Sequence, residues 1–177
     1  MIDAAGYGRA LYELSAEQGI EKTLGQQLEA VCGALKQEPR YITLMDTPAV
    51  GSSEKCAMIQ EAFANGEELL RNFLCILCEK RAFYSIFACK KAFDTTYDQA
   101  HGILRATALT ATPMENRQKD ALCKKLSAMT GKVVELENQI DPTLIGGIRL
   151  RYGGVQLDDT IQSRLNSLRK ALGEAIV

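Results

Sequence analysis

The sequence predicts an α+β protein of two domains: an N-terminal six-helix bundle, residues 1–101, and a small C-terminal mixed β-sheet domain with two helices, residues 102–177. Apolar residues recur at helical spacing up to about residue 100, and beyond it they alternate as in a strand. The charge balance changes at the same place. Residues 1–101 carry 10 Lys or Arg against 14 Asp or Glu, whereas residues 102–177 carry 11 against 8. Both changes favour a domain boundary near residue 102.

The first three helices follow from apolar spacing and from proline. Apolar side chains three and four positions apart over residues 7–14 and 20–35 predict two amphipathic helices separated at Gly19. A short third helix is expected over residues 39–45, because proline fits the first turn of a helix but not its interior.

Three further helices complete the predicted bundle. Ser52 or Ser53 is expected to cap the fourth helix, which the Asn-Gly pair at 65–66 ends. The fifth, over residues 67–80, begins with two acids and is the most apolar of the six. The sixth is expected over residues 83–100. Six helices with short connections are typical of a compact bundle.

The C-terminal domain begins with a strand, a helix and a second strand. Alternation over residues 103–111 predicts the first strand, and residues 133–140 predict the second. Residues 114–129 between them predict a helix that Gly131 ends. Four side chains of this helix are expected to face the core: Ala121, Leu122, Leu126 and Met129.

A hairpin and a last helix are expected to follow. Gly153-Gly154 suits a two-residue turn with positive φ, and Ile148, Leu150 and Val155 are expected to bury one face of its strands, with Leu157 beside them. The last helix is expected to have an apolar seam and a cap from one of three residues. The caps are Asp158, Asp159 or Thr160, and the seam is Ile161, Leu165, Leu168, Leu172 and Ile176.

Composition and charge exclude several classes of protein. The net charge is −1. Proteins that bind nucleic acid or an anionic membrane usually have a strongly basic surface, so a protein that binds such polyanions over its whole surface is disfavoured. The longest strictly apolar run, residues 73–78, is far shorter than the ~20 residues that span a bilayer, so no membrane insertion is expected. Residues 1–6 do not resemble a signal peptide, and a cytoplasmic location is therefore expected.

The search for catalytic and metal-binding chemistry finds little. All six cysteines lie in apolar helical patterns and are interpreted as thiols, and the Cys75-x-x-Cys78 pair is interpreted as core packing. His101, the only histidine, is interpreted as a helix-end residue. The glycines near residue 7 and at 146–147 lack the context of a phosphate loop. The residues therefore show no recognisable catalytic equipment.

Three blocks of sequence carry a family resemblance. They are residues 7–12 (Tyr-Gly-Arg-Ala-Leu-Tyr), residues 72–80, and residues 134–153 followed by Asp158-x-Thr160. Together they resemble the delta subunit of bacterial F-type ATP synthase, the counterpart of the mitochondrial oligomycin-sensitivity-conferring protein. The chain departs from the common Gly-Arg of that family at Arg81-Ala82. The order of the elements is unaffected by this departure.

The resemblance implies a non-catalytic stator subunit without a cofactor. It would act at the cytoplasmic face of the membrane as one copy in each complex, a monomer in isolation, linking the alpha subunits to the b-type peripheral stalk so that proton flow is coupled to ATP synthesis. The helical domain would bind an alpha-subunit helix between its first and fifth helices. The matching motifs assign this contact to Tyr7, Ala10, Leu11, Leu14, Asn72, Phe73 and Ile76. For the apolar members, core packing is an equally acceptable interpretation.

The C-terminal signature has a structural explanation rather than a catalytic one. Asp141-Pro142 forces a turn and Gly146-Gly147 permits a sharp entry into the next strand. The signature residues are Asp141, Gly146, Gly147, Gly153, Asp158 and Thr160. Two alternatives remain at this stage. An RNA-binding module would show steeply salt-dependent binding, and a thiol redox protein would need an exposed cysteine of low pKa.

Overall fold

The computed structural model describes residues 2–163 and 165. Its architecture is α+β, with helices preceding a mixed sheet, and the chain divides into two compact units, Met1–Gln99 and Ala100–Val177. They are called the helical unit and the sheet unit below. In the described part of the chain, no helix combines the length and the apolar character that a membrane crossing requires.

Helices follow one another with short connections from residue 4 to residue 100. Gly19, with φ +67°, stands between the first two and makes their sharp change of direction possible. A short 3-10 helix, Phe83–Ser85, precedes the last of them. The α-helices are α1 Ala4–Glu17, α2 Glu21–Gln37, α3 Arg40–Asp46, α4 Ser52–Ala62, α5 Glu68–Glu79 and α6 Ile86–Ala100.

The core of the helical unit is formed by the apolar faces of its helices. Leu24 and Leu28 of α2, Leu74 and Leu77 of α5, and Ile86 of α6 are completely buried. These positions repeat at three or four residues, as the sequence predicts for amphipathic helices. Burial of this kind supplies most of the stability of such helices, since short isolated helices are marginal in water.

Two details of the helix ends differ from the prediction. The predicted cap at Ser52 or Ser53 is wrong, because α4 begins at Ser52 itself and its N-cap is Gly51, which makes no side-chain cap bond. The predicted sixth helix opens as the 3-10 turn at Phe83–Ser85 rather than as an α-helix. Asp46 accepts hydrogen bonds from the backbone N–H groups of Phe83 (2.7 Å) and Tyr84 (3.0 Å), and these fix that tighter turn.

The sheet unit contains four strands in the order β2-β1-β3-β4 among its described residues. β1 runs parallel to β2, and β3 lies antiparallel to both β1 and β4, so the sheet is mixed as predicted. Gly131 (φ +69°) ends the intervening helix, and Gly153 and Gly154 form the hairpin turn. The elements are β1 Ile103–Thr110, α7 Asn116–Thr130, β2 Val133–Ile140, β3 Gly147–Tyr152 and β4 Val155–Thr160.

One face of the sheet is buried beneath α7. Ala106 and Ala108 of β1, Leu150 of β3 and Leu126 of α7 form this core. Because α7 packs against β2, at the edge of the sheet opposite β4, the apolar residues of β4 lie beyond its reach. The predicted burial of Val155 is therefore wrong, since its side chain is 48% exposed, and Leu157 on the same strand is 47% exposed.

The predicted inward face of α7 is also only partly correct. Leu126 is buried and Leu122 packs against the core, but Ala121 is exposed and Met129 is 73% exposed. Met129 lies in the last turn of the helix, just before Gly131 turns the chain. Helical spacing alone does not show where the contact between a helix and its sheet ends.

The last predicted helix is described only at its start. Residues 161–163 and 165 are helical, and Thr160 Oγ1 accepts a hydrogen bond from the backbone N–H of Ser163 at 3.2 Å. Thr160 is therefore the cap among the three candidates. The seam positions Leu168, Leu172 and Ile176 lie outside the described residues.

Candidate partner-binding site

α1 is held against α6 by a close approach of the two backbones. Gly8 of α1 is buried, and a Cβ atom at this position would lie 2.2 Å from the carbonyl oxygen of Cys89 on α6. Tyr12 adds edge-to-face ring contacts with Phe93 and Tyr97, whose ring centroids lie 5.7 and 6.2 Å away. The glycine is therefore required by packing, and the orientation of the outer face of α1 is fixed.

α5 is held by a broad apolar face and by a bond at its start. The backbone N–H of Glu67, the N-cap of α5, donates to Gln27 Oε1 of α2 at 2.9 Å. Leu70, Leu74 and Leu77 turn into the core, and α5 packs against α1, α2 and α4. The pairing of α1 with α5 that the assigned contact requires is therefore present in the fold.

The seven residues assigned to the alpha-subunit contact divide by exposure. Leu11 and Phe73 are buried in the core, and Tyr7 is half-buried against it. The other four are exposed on α1 and α5: Ala10, Leu14, Asn72 and Ile76. Leu14 is 46% and Ile76 39% exposed. These four side chains are therefore accessible from solvent, whereas Leu11 and Phe73 are not.

The glycines of the C-terminal signature let two strand ends meet closely. Gly147 has φ +87°, and a Cβ atom there would lie 2.4 Å from the carbonyl oxygen of Asp159. A Cβ atom at Gly146 would lie 2.8 Å from Ile161 Cδ1, and the carbonyl oxygen of Gly146 accepts from the backbone N–H of Ile161 at 3.1 Å. These contacts fasten the start of β3 to the start of the last helix.

The two signature aspartates hold turns through hydrogen bonds. Asp158 Oδ1 accepts from the hydroxyl (2.7 Å) and the backbone N–H (3.1 Å) of Thr160, and Arg149 Nε donates to its Oδ2 at 3.0 Å. The bonds from Thr160, and then Arg149, hold the pKa of Asp158 below its usual value. Asp141 accepts in the same way from Thr143, which lowers its pKa. Both carboxylates are occupied in structural bonds.

Comparison with known proteins decides the family. The family model described as ATP synthase delta (OSCP) subunit matches residues 4–172. The chain belongs to this family. The ATP synthase subunit delta of Geobacillus sp. (strain WCH70) is 30% identical over 172 residues, covering 97% of each chain. That of Alkaliphilus oremlandii (strain OhILAs) is 31% identical over 173 residues, covering 97% of this chain and 96% of the relative.

A solved structure shares the fold. A chain in the cryo-EM structure of the Toxoplasma gondii mitochondrial ATP synthase hexamer matches with a TM-score of 0.74 at 20% identity, covering 97% of this chain and 98% of that chain. As a delta (OSCP) family member, the protein is a non-catalytic peripheral-stalk subunit of ATP synthase. The predicted family and stator function are confirmed, and the family match favours them over the RNA-binding and thiol redox alternatives.

The titratable groups of this delta (OSCP) family member fit a non-catalytic role. Burial raises the pKa values of Cys32, Cys78 and Cys89 to about 11, so these thiols are not activated nucleophiles. Lys90 is desolvated, which lowers its pKa, but its bonds to Asp94 and Glu29 outweigh this and leave the pKa raised. Among residues 2–163 and 165, no cluster of three or more His, Cys, Asp or Glu is arranged to hold a metal ion.

Two polar residues that sequence analysis missed organise the delta-family fold. Lys55 is almost completely buried on α4, and its Nζ donates to the carbonyl oxygens of Met45 (2.7 Å) and Thr47 (2.5 Å) at the end of α3. In the sheet unit, Asn138 Nδ2 donates to the carbonyl oxygen of Ala108, and its Oδ1 accepts from the backbone N–H of Met114. Nothing in the local sequence marks either one, because their partners are distant carbonyl and N–H groups.

Proposed function

We propose that this subunit joins the catalytic head of ATP synthase to its peripheral stalk. The six helices form the domain that binds N-terminal segments of the alpha subunits, and the sheet unit forms the domain that binds the b-type stalk helices. In this proposal, the subunit lies peripherally at the cytoplasmic face of the membrane, with one copy in each complex. The observation that carries the proposal is membership of the delta (OSCP) family over nearly the whole chain.

The work of such a subunit is mechanical. The rotor applies torque to the head, and a stator contact that slips would let protons flow without ATP synthesis. Several modest interfaces held in one assembly give a high effective affinity, because each contact keeps the others at high local concentration. A protein with two separate binding domains suits this arrangement.

We infer that the alpha-subunit helix lies across the exposed side chains of α1 and α5. Leu14 and Ile76 offer apolar area to the apolar face of an amphipathic helix, and Asn72 can hydrogen-bond at its margin. Ala10 lies one turn before Leu14 on α1, and its small side chain admits a close approach. The proposed contact is of the helix-in-groove kind, to which α1 contributes Ala10 and Leu14 and α5 contributes Asn72 and Ile76.

Substitution of Ala10 tests this contact. Ala10→Asp is expected to leave the fold intact, because exposed substitutions usually change the free energy of unfolding by less than ~0.5 kcal/mol and the helix propensity of Asp adds a similar amount. In the complex the carboxylate would be desolvated without a partner, which costs several kcal/mol and weakens binding about a hundredfold or more. Binding of a peptide of the alpha-subunit N-terminus, measured by calorimetry, is the readout.

Ala5→Asp is the matched control. Ala5 is also exposed on α1. Because each residue advances roughly 100° around a helix, Ala5 and Ala10 point in directions that differ by about 140°. This variant is expected to bind the peptide like the unmodified protein. Ile76→Asp on α5 is expected to weaken binding like Ala10→Asp. Equal affinities for Ala10→Asp and Ala5→Asp would contradict the assigned surface.

The function itself is tested in the complete enzyme. With Ala10→Asp, ATP hydrolysis by the detached head is expected to be normal, since the chemistry takes place elsewhere, while ATP-driven proton pumping by the membrane complex falls. Intact coupling in a strain that lacks this chain would refute the stator proposal. Loss of hydrolysis by the detached head would do the same, because a purely mechanical link cannot affect it.

A further inference from the structure

The exposed side chains of α5 change in character along the helix. Glu68, Asn72 and Ile76 are each exposed and stand four residues apart, so they follow one another on the outer side of α5. This row begins with a carboxylate in the first turn and passes through an amide to an apolar side chain. Asn72 and Ile76 belong to the proposed contact with the alpha subunit, and Glu68 extends the same row by one turn. A partner helix that follows α5 therefore meets a negative charge beyond the apolar area.

A cleft of about 280 Å³ lies beside this row, between α4 and α5. Four polar residues line it: Gln60, Glu68, Arg71 and Asn72. Arg71 Nη1 is directed to the end of α4, where it donates to the carbonyl oxygens of Ala64 (2.9 Å) and Phe63 (3.5 Å). Glu68 forms no ion pair with any residue that the structure describes. The cleft therefore offers a carboxylate and two side-chain amides at the edge of the proposed contact.

The charge of the two helices indicates which kind of side chain this cleft takes. Residues 4–17 of α1 contain one Arg and two Glu, and residues 68–79 of α5 contain the same numbers. The whole of residues 1–101 carries 10 Lys or Arg against 14 Asp or Glu. Complementary charges at an interface favour the correct partner and fix its register, while like charges oppose binding. A cationic side chain is therefore favoured over an anionic one beside Glu68.

We propose that the alpha-subunit helix places a Lys or Arg side chain in this cleft, paired with Glu68, while an apolar side chain of the same helix covers Ile76. Glu68 and Ile76 are eight residues apart, which is about 12 Å along the axis of α5. A partner helix lying along α5 covers that distance in about two turns, so its basic and apolar residues are expected seven or eight positions apart. This inference rests on the proposed contact with the alpha subunit and adds to it the charged residue that sets the register of the partner.

Glu68 also has a contribution to the fold that does not depend on any partner. An acid in the first turn of a helix interacts favourably with the backbone N–H groups at that end. Glu54 lies in the first turn of α4 and is exposed in the same way, but it does not line the cleft. Glu54→Gln therefore removes a comparable helix-end interaction without touching the proposed pair, and it is the matched control for Glu68→Gln.

Binding of an alpha-subunit N-terminal peptide to the whole protein tests the pair. Glu68→Gln is expected to weaken binding about three- to tenfold at low salt, because the basic side chain loses its partner in a partly desolvated cleft. Glu54→Gln is expected to bind like the unmodified protein. The difference between Glu68→Gln and the unmodified protein is expected to shrink at 1 M NaCl, where the Debye length is about 3 Å. Circular dichroism and thermal unfolding of each variant check that the fold is intact.

An exchange of charges identifies the basic residue of the partner. Each Lys or Arg of the peptide is replaced in turn by Glu, and binding is measured to the unmodified protein and to Glu68→Lys. One replacement is expected to weaken binding to the unmodified protein and to restore binding to Glu68→Lys. An apolar residue seven or eight positions away in the peptide is expected to show coupling to Ile76→Ala in a double-mutant cycle. The other replacements are expected to restore nothing.

The outcomes separate this inference from the proposed function. Equal affinities of Glu68→Gln and Glu54→Gln would overturn the charged pair. Tighter binding by Glu68→Gln would overturn it as well, because an acidic side chain would then occupy the cleft. If Ala10→Asp weakens binding while Glu68→Gln does not, the contact with α1 and α5 stands and only the pair is refuted. If neither variant changes the affinity, the contact and the pair are both refuted.

Discussion

The backbone of Gly147 provides a test of the structural role of the C-terminal signature. Gly147→Ala places a Cβ atom 2.4 Å from the carbonyl oxygen of Asp159 and 2.7 Å from Cα of Thr160, at a residue with φ +87°. A non-glycine residue in the left-handed region costs ~1–2 kcal/mol, and the overlap with backbone atoms adds ~1–3 kcal/mol because the strands must shift. The expected loss in the free energy of unfolding is therefore about 2–5 kcal/mol.

Gly154→Ala separates these two contributions. Gly154 has φ +81°, close to that of Gly147, but nothing lies within 4 Å of its added Cβ atom. Its loss is expected to be only ~1–2 kcal/mol, from backbone conformation alone. Urea denaturation followed by circular dichroism gives both values, and hydrogen exchange in β1 and β3 shows whether the sheet unit is affected. Equal losses for the two variants would refute the argument that close strand contact makes Gly147 necessary.

Two further predictions concern the helical unit. The pKa values of Cys32, Cys78 and Cys89 are about 11 in the folded protein, compared with an ordinary value of 9.0. These thiols therefore lose their protons more readily in the unfolded chain, so their contribution to the free energy of unfolding is full below about pH 9 and falls as the pH rises towards 11. Urea denaturation is expected to show that the free energy of unfolding falls by about 1 kcal/mol per buried thiol between about pH 8 and pH 10. Cys32→Ala is expected to reduce this fall by the share of one thiol. An unchanged fall in the Cys32→Ala variant would contradict the prediction. Separately, cleavage near Gly102 is expected to release a fragment, residues 1–101, that remains helical by circular dichroism; an unfolded fragment would contradict independent domains.

The order and type of the elements followed from the sequence because periodicity reports them directly. The strands at 103–110 and 133–140 lie where alternation predicts them, and the glycines at 131 and 153–154 end or turn the chain as expected. Alternation shows which side chains share a face but not what covers that face. For this reason Val155 was expected to be buried, although β4 lies at the edge that α7 does not reach.

The candidate site, too, could be predicted only in part from the sequence. The sequence motifs indicate the two helices concerned, and α1 and α5 do pack together. The motifs do not distinguish the exposed residues of these helices from the buried ones, because exposure depends on where neighbouring helices lie. Leu11 and Leu14 occupy the same motif-bearing helix, yet one is in the core and the other is nearly half exposed. Lys55 could not be predicted at all, since its two carbonyl partners belong to another helix end.

The close approach at Gly8 has a consequence for the stiffness of the helical unit. Where long side chains separate two helices, a force on one helix can displace it while those side chains change rotamer. At Gly8 the backbone of α1 lies directly against the backbone of α6, with no intervening side chain to yield. A load applied to α1 is therefore passed to α6 with little displacement, and a larger residue at position 8 would introduce compliance even where the fold survived.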